Sequence, residues 1–194
     1  MSAATSARRR LGVARGLLAA VVVAAVAVGA WLAFGNGSSH TGSQTLSGSA
    51  PGTLISPFRL SYPASWRALS DRELTAIANP PIGGLRTRDG AGILLVRVQP
   101  AIPGSLSTIT AALISQLRAR FADFRAGTAH VITIATGHAF SYTFTHASTG
   151  AAHLIVLVPT ANGGEDYTID AEIAAGHPQA DVEVGRIVRS FRVG

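Results

Sequence analysis

The sequence predicts an α+β domain with a central, largely antiparallel β-sheet that carries helices on both faces, preceded by one N-terminal transmembrane helix. Three observations lead to this prediction. Several runs alternate apolar and polar residues with the period of two that is typical of strands. Two longer segments repeat apolar residues every three or four positions, as amphipathic helices do. One segment near the N-terminus, residues 16–34, contains no charged residue.

The distribution of charge separates the N-terminus from the rest of the chain. The protein has 194 residues, of which 16 are basic and 10 acidic, and its formal net charge is +6. Four of the sixteen lie within residues 1–15, which leaves twelve basic against ten acidic residues from Arg59 onward. Because the domain is nearly neutral and phosphate binding needs clustered cations, we expect no nucleic-acid partner. The chain has no Cys, which excludes disulfides and thiolate metal sites.

Residues 16–34 form the predicted membrane anchor. A helix of this length spans about 28 Å, close to the thickness of the hydrocarbon core of a bilayer. Basic residues precede the segment and no charge follows it until Arg59. This asymmetry places residues 1–15 in the cytoplasm and the domain outside the cell membrane. The alternative is a cleaved signal peptide with a cleavage site at Val28-Gly29-Ala30, after which the domain would be secreted.

The segment that follows the anchor has the composition of a linker. Residues 35–53 are rich in Gly, Ser and Thr and show no apolar periodicity. Such a segment is predicted to be flexible, because it offers little apolar surface to bury. The folded domain is therefore predicted to comprise residues 54–194.

The domain opens with a strand that Pro63 ends. Apolar and polar residues alternate over residues 58–62, and Pro63 has no N–H to continue a strand ladder. Trp66 follows, and its indole N–H needs a hydrogen-bond partner once the ring is buried. Ser70 and Glu73 have the spacing of a capping box, which predicts a short helix directly after Ser70.

A hairpin and a long helix are predicted next. Asp89-Gly90 separates two extended runs, which favours a two-residue type I′ turn. Residues 93–98 are apolar apart from Arg97, as in a central strand covered on both faces. Pro103 then precedes the longest predicted helix, at roughly residues 107–124. Its apolar stripe consists of Ile109, Leu113, Leu117, Phe121 and Phe124.

The second half of the domain is predicted to contain three or four strands and a terminal helix. Residues 128–134, 138–146 and 154–158 have strand patterns, and residues 167–173 alternate cleanly between apolar and polar side chains. The final helix begins near Pro178, a position that proline tolerates. Its apolar stripe consists of Val184, Ile187, Val188 and Phe191.

Short motifs at both ends of the domain resemble those of PsbP-like domains, which have the Mog/PsbP fold. The chain has F-x-L-x-Y-P-x-x-W from Phe58 to Trp66 and I-V-x-S-F from Ile187 to Phe191. The order of the elements between these motifs is also similar to the family's, over roughly residues 54–193. The resemblance implies an exported bacterial domain with a helix-flanked antiparallel sheet, in a family that consists mostly of binding or assembly factors. Unlike the lipoprotein members, this chain has no lipobox Cys and carries the predicted membrane anchor instead.

The candidate binding residues are His146, His153 and Arg97. The two histidines flank a predicted hairpin loop and would be diagonal neighbours on one sheet face, about 7–8 Å apart. At that distance they could share a metal ion, but two imidazoles without a third ligand are weak evidence for a metal site, so we predict neither a metal nor a cofactor. Arg97 either extends to the end of its strand or pairs with an acid in a cleft. Asp170 and Glu172 are interpreted as part of a solvated strand face.

The chain has no recognised hydrolase, metalloprotease or nucleotide-binding motif, and we expect no catalytic residues and no enzymatic activity. The main hypothesis is a membrane-anchored, extracytoplasmic binding or assembly module of the bacterial cell envelope. It would contact the membrane through residues 16–34 and bind an envelope protein. The alternative is a carrier or sensor of a small apolar ligand in a cleft between sheet and helix. An envelope hydrolase is the least favoured function.

Overall fold

The structure, a computed structural model, describes residues 42–53, 55–161 and 163–194. The predicted cytoplasmic segment, the membrane anchor and the first part of the linker lie outside the described residues. Within those described ranges, no helix is both long and apolar enough to span a membrane. Anchoring through residues 16–34 therefore stays a prediction.

The described residues form ten strands and three helices. The strands are β1 (Ser43–Gly48), β2 (Phe58–Pro63), β3 (Trp66–Ala68), β4 (Gly83–Thr87), β5 (Gly92–Pro100), β6 (Phe124–Ile134), β7 (Gly137–His146), β8 (Ala152–Pro159), β9 (Glu165–Ile173) and β10 (Arg192–Val193). The helices are α1 (Asp71–Thr75), α2 (Leu106–Arg120) and α3 (Pro178–Arg189). Seven strands form the main sheet in the order β3-β4-β5-β9-β8-β7-β6, and β1, β2 and β10 form a smaller one. All these strand pairs are antiparallel, which confirms the predicted α+β class.

The main sheet is covered on both faces. On one face lie α3 and the small sheet, and on the other lie α1 and α2. The core beneath α3 includes Phe58, Leu60, Trp66, Leu94, Val96, Val156, Ile169, Val184, Ile187 and Phe191. The core beneath α2 includes Leu113, Leu117, Phe140, Tyr142, Phe144, Ile155 and Leu157, and a small cluster of Leu69, Ile93 and Leu95 packs against α1. We call these two sides the α3 face and the α2 face.

The folded domain begins before the predicted boundary at residue 54. Ser43–Gly48, within the predicted linker, forms β1 and pairs with β2 along its whole length. Leu46 lies opposite Leu60 and packs against the core of the α3 face. Backbone hydrogen bonds to β2 hold this segment, and such bonds depend little on side-chain composition. A search for apolar periodicity therefore misses the strand.

Trp66 has a hydrogen-bond partner on α3. Its ring is fully buried, and its Nε1–H donates to Oε2 of Glu183 over 2.8 Å. The same oxygen accepts from Ser65 Oγ, and Oε1 accepts from Gln179 Nε2. The corner after Pro63 is thus tied to α3, which explains why the tryptophan follows the end of the first predicted strand so closely.

Ser70 and Glu73 form the predicted capping box at the start of α1. Ser70 N–H donates to Glu73 Oε2 over 2.9 Å, and Glu73 N–H donates to Ser70 Oγ over 3.4 Å. The predicted hairpin at Asp89-Gly90 also forms, but it is not a two-residue type I′ turn. Only Gly90 has positive φ, and Asp89 accepts a hydrogen bond from Ala91 N–H instead. This side-chain bond stabilises a longer loop.

The observed helix α2 is shorter than the helix that the apolar stripe predicts. α2 ends at Arg120, and Phe124 begins β6 instead of continuing the helix. Leu113 and Leu117 are buried beneath α2, and Phe121 and Phe124 pack beside them from the following segment. The stripe thus identifies the residues that face the sheet, although the last two of them are not helical.

Candidate functional site

Arg97 forms a buried ion pair, which decides between its two predicted arrangements. The side chain does not extend to solvent, since the residue is only 4% exposed. Its Nη1 lies 2.6 Å from Oδ2 of Asp170, and its Nε–H donates to the backbone oxygen of Asn79 over 3.1 Å. Burial raises the pKa of Asp170, while the neighbouring guanidinium opposes that shift. Burial likewise lowers the pKa of Arg97.

The prediction that β9 exposes a solvated polar face is wrong. Asp166 and Thr168 are 8% and 3% exposed, and the side chain of Asp170, in its pair with Arg97, is 17% exposed. In the sheet register Thr168 lies opposite Arg97, and Asp166 lies opposite Gln99. We call these five residues the polar strip. Alternation predicts that the strand has two different faces, but not that a second helix covers the polar one.

The polar strip is buried without complete hydrogen bonding. Within the described residues, several of its atoms are inaccessible and lack a hydrogen-bond partner in the structure. These atoms are Arg97 Nη2, Gln99 Nε2, Thr168 Oγ1 and Asp170 Oδ1, and Gln116 Oε1 of α2 shares this condition. Unsatisfied groups of this kind are costly when dry and are commonly bridged by ordered water. The strip therefore has the character of a closed, polar interior.

His146 and His153 lie beside each other, as the hairpin register predicts. His153 is opposite Phe144 and stacks on its ring, with the centroids 4.5 Å apart, and the two imidazole centroids are separated by 4.7 Å. Burial lowers the pKa of His153 to about 4, and the nearby His146 adds to this shift. The part of the chain that the structure describes contains no group of three or more His, Asp or Glu placed to hold a metal ion. The pair packs as two aromatic rings against Phe144.

Asp123 organises the loop around His146. Its Oδ1 lies 2.9 Å from Nδ1 of His146, and its Oδ2 accepts hydrogen bonds from both the backbone N–H and the hydroxyl of Ser148. Sequence inspection does not single out Asp123, because it lies 23 positions before His146. In a hydrolytic triad the serine bonds to the histidine, and the aspartate orients the histidine from its other side. Here the serine bonds to the aspartate, so the three residues do not have that arrangement.

A cleft opens on the α3 face, between α3 and the end of the main sheet nearest β6. Its volume is about 510 Å³. The apolar part of its lining comprises Ile132, Leu154, Ala171, Ile173, Val184 and Val188. The polar part includes Ser141 and Thr143 on β7, and Arg125, His130, Asp181 and Arg189. The sequence does not predict this cleft, because its residues come from four strands and a helix.

Small residues keep the cleft open. Gly185 lies at the middle of α3, and a Cβ added there would meet only Nη1 of Arg189, at 3.7 Å. Ala152 and Ala171 line the cleft from β8 and β9. The register of β6 also shifts between Ala126 and Ala129, a bulge of the kind found beside binding sites. The one sequence signal for the cleft is a glycine inside an amphipathic helix. Because glycine weakens a helix, its presence there indicates a position where a side chain would fill needed space.

No protein-family model and no curated protein matches the chain. Solved structures do resemble it. LpqN of Mycobacterium tuberculosis, described as involved in cell envelope biogenesis, has a TM-score of 0.55 and 14% sequence identity, over 78% of this chain and 91% of LpqN. The Saccharomyces cerevisiae Ran-binding protein Mog1p has a TM-score of 0.51 and 10% identity, over 79% of this chain and 96% of Mog1p. At these identities the likeness concerns the fold, and it confirms the Mog/PsbP-like fold that the terminal motifs imply.

Proposed function

We propose that this protein is a binding module of the bacterial cell envelope, and that the cleft on the α3 face is its binding site for an apolar group. The observation that carries the proposal is the cleft itself. Its volume of about 510 Å³ lies within the range of small-molecule sites. Its floor is apolar and continuous with the core of the α3 face. An apolar ligand there would remove exposed apolar surface from water, which favours binding.

The proposed location outside the cytoplasm is supported by the charge asymmetry around residues 16–34. The structural likeness to LpqN, a protein described as involved in cell envelope biogenesis, agrees with it. The folded domain begins at β1, only eight residues after the end of the predicted anchor. A linker this short would hold the cleft close to the membrane surface, where apolar ligands and envelope proteins are both accessible.

The proposal includes no enzymatic activity. The arrangement most similar to a hydrolytic site is Asp123, His146 and Ser148, and its serine bonds to the aspartate. His146 and Ser148 lie at the hairpin between β7 and β8, and Asp123 lies just before β6. None of the three lines the cleft. A bound ligand would therefore meet no nucleophile activated by a neighbouring base.

Photo-crosslinking tests the site in the full chain. The protein would be placed in phosphatidylcholine vesicles with a twelve-carbon alcohol that carries a terminal alkyl diazirine, and the labelled residues would be mapped by mass spectrometry. We expect labels on cleft residues such as Leu154 and Val184. Gly185→Phe, which fills open space, should remove them. Val182→Phe is the matched control, because Val182 is exposed on the same helix and does not line the cleft. Equal labelling of both variants would overturn the proposal.

A further inference from the structure

The two ends of the cleft differ in charge, and the direction of α3 shows how. Only residues 174–177 connect β9 to α3, so the helix begins beside the end of β9. After the helix, the ring of Phe191 contacts that of Tyr167, near the start of β9, with centroids 5.4 Å apart. α3 therefore runs antiparallel to β9. Asp181 lies near the Ile173 end of the cleft, and Arg189 lies two turns further on, toward the opposite end.

The residues of the cleft floor can be assigned to the same two ends. His130 of β6 lies opposite Ser141 of β7, and Ser141 lies opposite Val156, which pairs with Ile169. This row crosses the sheet at the end where α3 finishes, because Ile169 is close to Tyr167. The backbone of Arg189 consequently lies at the same end of the cleft as His130 and Ser141, and its guanidinium extends back along α3 toward Gly185. We call this end the cationic end.

The other end of the cleft carries balanced charge. Arg125 lies opposite Thr145, in the row that continues through Ala152 to Ile173. Asp181 lies at this same end, so one cation and one anion face the cleft there. At the cationic end, Arg189 has no acidic counterpart among the residues that line the cleft.

Two polar side chains at the cationic end, Arg189 and Ser141, have no ion-pair or hydrogen-bond partner among the residues that the structure describes. Arg189 forms no ion pair within the described ranges, and its side chain is exposed beside Gly185. Ser141 is 1% exposed and lines the cleft, and no described group hydrogen-bonds to its hydroxyl. A buried hydroxyl without a partner in such a place is available to a ligand. The guanidinium of Arg189, which lines the same cleft, offers the fork of donors that suits carboxylate and phosphate.

We infer that the cleft selects amphiphiles with an anionic head group, a carboxylate or a phosphate, and holds that head at the cationic end. The inference rests on the proposed function, since it assumes that an apolar chain occupies the cleft. Arg189 supplies the charge and the forked donors, and Ser141 supplies a hydroxyl donor at the floor. The apolar chain lies against Leu154, Ala171 and Val184. At the other end the charge of Asp181 offsets that of Arg125, so that end offers an anionic head less net attraction.

The test compares two probes of the same length in the full chain. Vesicles of phosphatidylcholine that contain the protein receive either the twelve-carbon diazirine alcohol or the matching diazirine carboxylic acid. We expect the acid to label the cleft more strongly than the alcohol. Arg189→Gln should reduce this acid-to-alcohol ratio by about tenfold. Arg186→Gln is the control, because Arg186 is an exposed arginine of α3 that does not line the cleft.

The outcomes separate this inference from the proposed function. If Arg189→Gln leaves the acid-to-alcohol ratio unchanged, the inferred selectivity for anions is overturned. Labelling of the cleft by the alcohol would still support the proposed function. Absence of cleft labelling by both probes would overturn the proposed function and the inference together. Competition then identifies the source of the anion. Dodecanoate and dodecyl phosphate should each reduce labelling, and the stronger competitor identifies the preferred head group. Competition by inorganic phosphate alone, without an apolar chain, would contradict an amphiphile site.

Discussion

The two faces of the main sheet bury their side chains in different ways. On the α2 face, the segments around Asn79 and Ile102 contact the polar strip, which holds an ion pair and several polar atoms without a described partner. On the α3 face, an apolar core is interrupted by an open cleft with unpaired polar groups at one end. The least exposed ion pair of this domain thus lies away from the proposed binding site, whose lining combines apolar side chains with a few polar ones. Polarity in the sequence is a poor guide to the binding face here.

Breaking the ion pair of the α2 face should have the largest effect on stability. Asp170→Leu leaves the guanidinium of Arg97 buried without its counterion. Loss of one partner from a buried pair costs about 3–5 kcal/mol. The double variant Arg97→Met, Asp170→Leu removes both charges and should recover most of that loss. Denaturant unfolding of the single and double variants measures the difference. A single variant as stable as wild type would show that the pair is not buried in solution.

The equivalent test on the α3 face concerns the buried carboxylate beneath Trp66. Glu183→Ala removes the acceptor of the Trp66 indole N–H and of the Ser65 hydroxyl. Leaving such donors unsatisfied costs about 1–3 kcal/mol. We expect Glu183→Gln to lose less, because the amide oxygen still accepts one of these bonds. Chemical denaturation of the two variants gives the ranking, and equal loss in both would show that hydrogen bonding is not the cause.

A smaller effect on the α2 face depends on pH. The folded-state pKa of His153, about 4, lies below the value of about 6.5 expected when the chain is unfolded. The unfolded chain then binds the proton more readily, so stability is complete above pH 6.5 and falls as the pH drops toward 4. His153→Phe keeps a stacked ring beside Phe144 and removes the titration. The free energy of unfolding of this variant, relative to the wild type, should be higher at pH 5 than at pH 8 by on the order of 1–2 kcal/mol. Parallel pH profiles for both proteins would contradict this.

The smallest expected change in stability concerns the cleft. Gly185→Ala should stabilise α3 by about 0.5–1 kcal/mol, because alanine favours helix and its Cβ meets only Arg189 Nη1, at 3.7 Å. The thermal unfolding temperature measures this gain. A loss of stability would show that the space beside Gly185 is filled in solution, and it would weaken the contrast between the two faces.

Local signals in the sequence predict the local parts of this structure. The capping box at Ser70 and Glu73, the stripe of α3 and the neighbourhood of His146 and His153 depend on residues close in the chain. Arg97 and Asp170 are 73 positions apart, and their pairing exists only because β5 lies beside β9. Local patterns do not specify that neighbour. For the same reason the alternation of β9 could not distinguish solvent from a covering helix.

The two other features that the sequence did not predict, β1 and the cleft, also have a physical explanation. β1 is held by backbone pairing, which leaves little trace in composition. The cleft is a space between elements, and its walls come from β6, β7, β8, β9 and α3. Gly185 is the only sequence signal for the cleft, and a single glycine does not identify the strands that line the cleft opposite α3. Fold class was therefore accessible from patterns and terminal motifs, whereas the location of the site required the tertiary structure.

The most direct test of the central claim compares diazirine alcohol labelling of one blocked variant from each face. Gly185→Phe fills the cleft of the α3 face, and the double variant Arg97→Met, Asp170→Leu replaces the ion pair of the α2 face. We expect Gly185→Phe to abolish the labelling of Leu154 and Val184, whereas the double variant should be labelled as the wild type is. Labelling that survives Gly185→Phe and disappears in the double variant would contradict it and place the binding site on the α2 face.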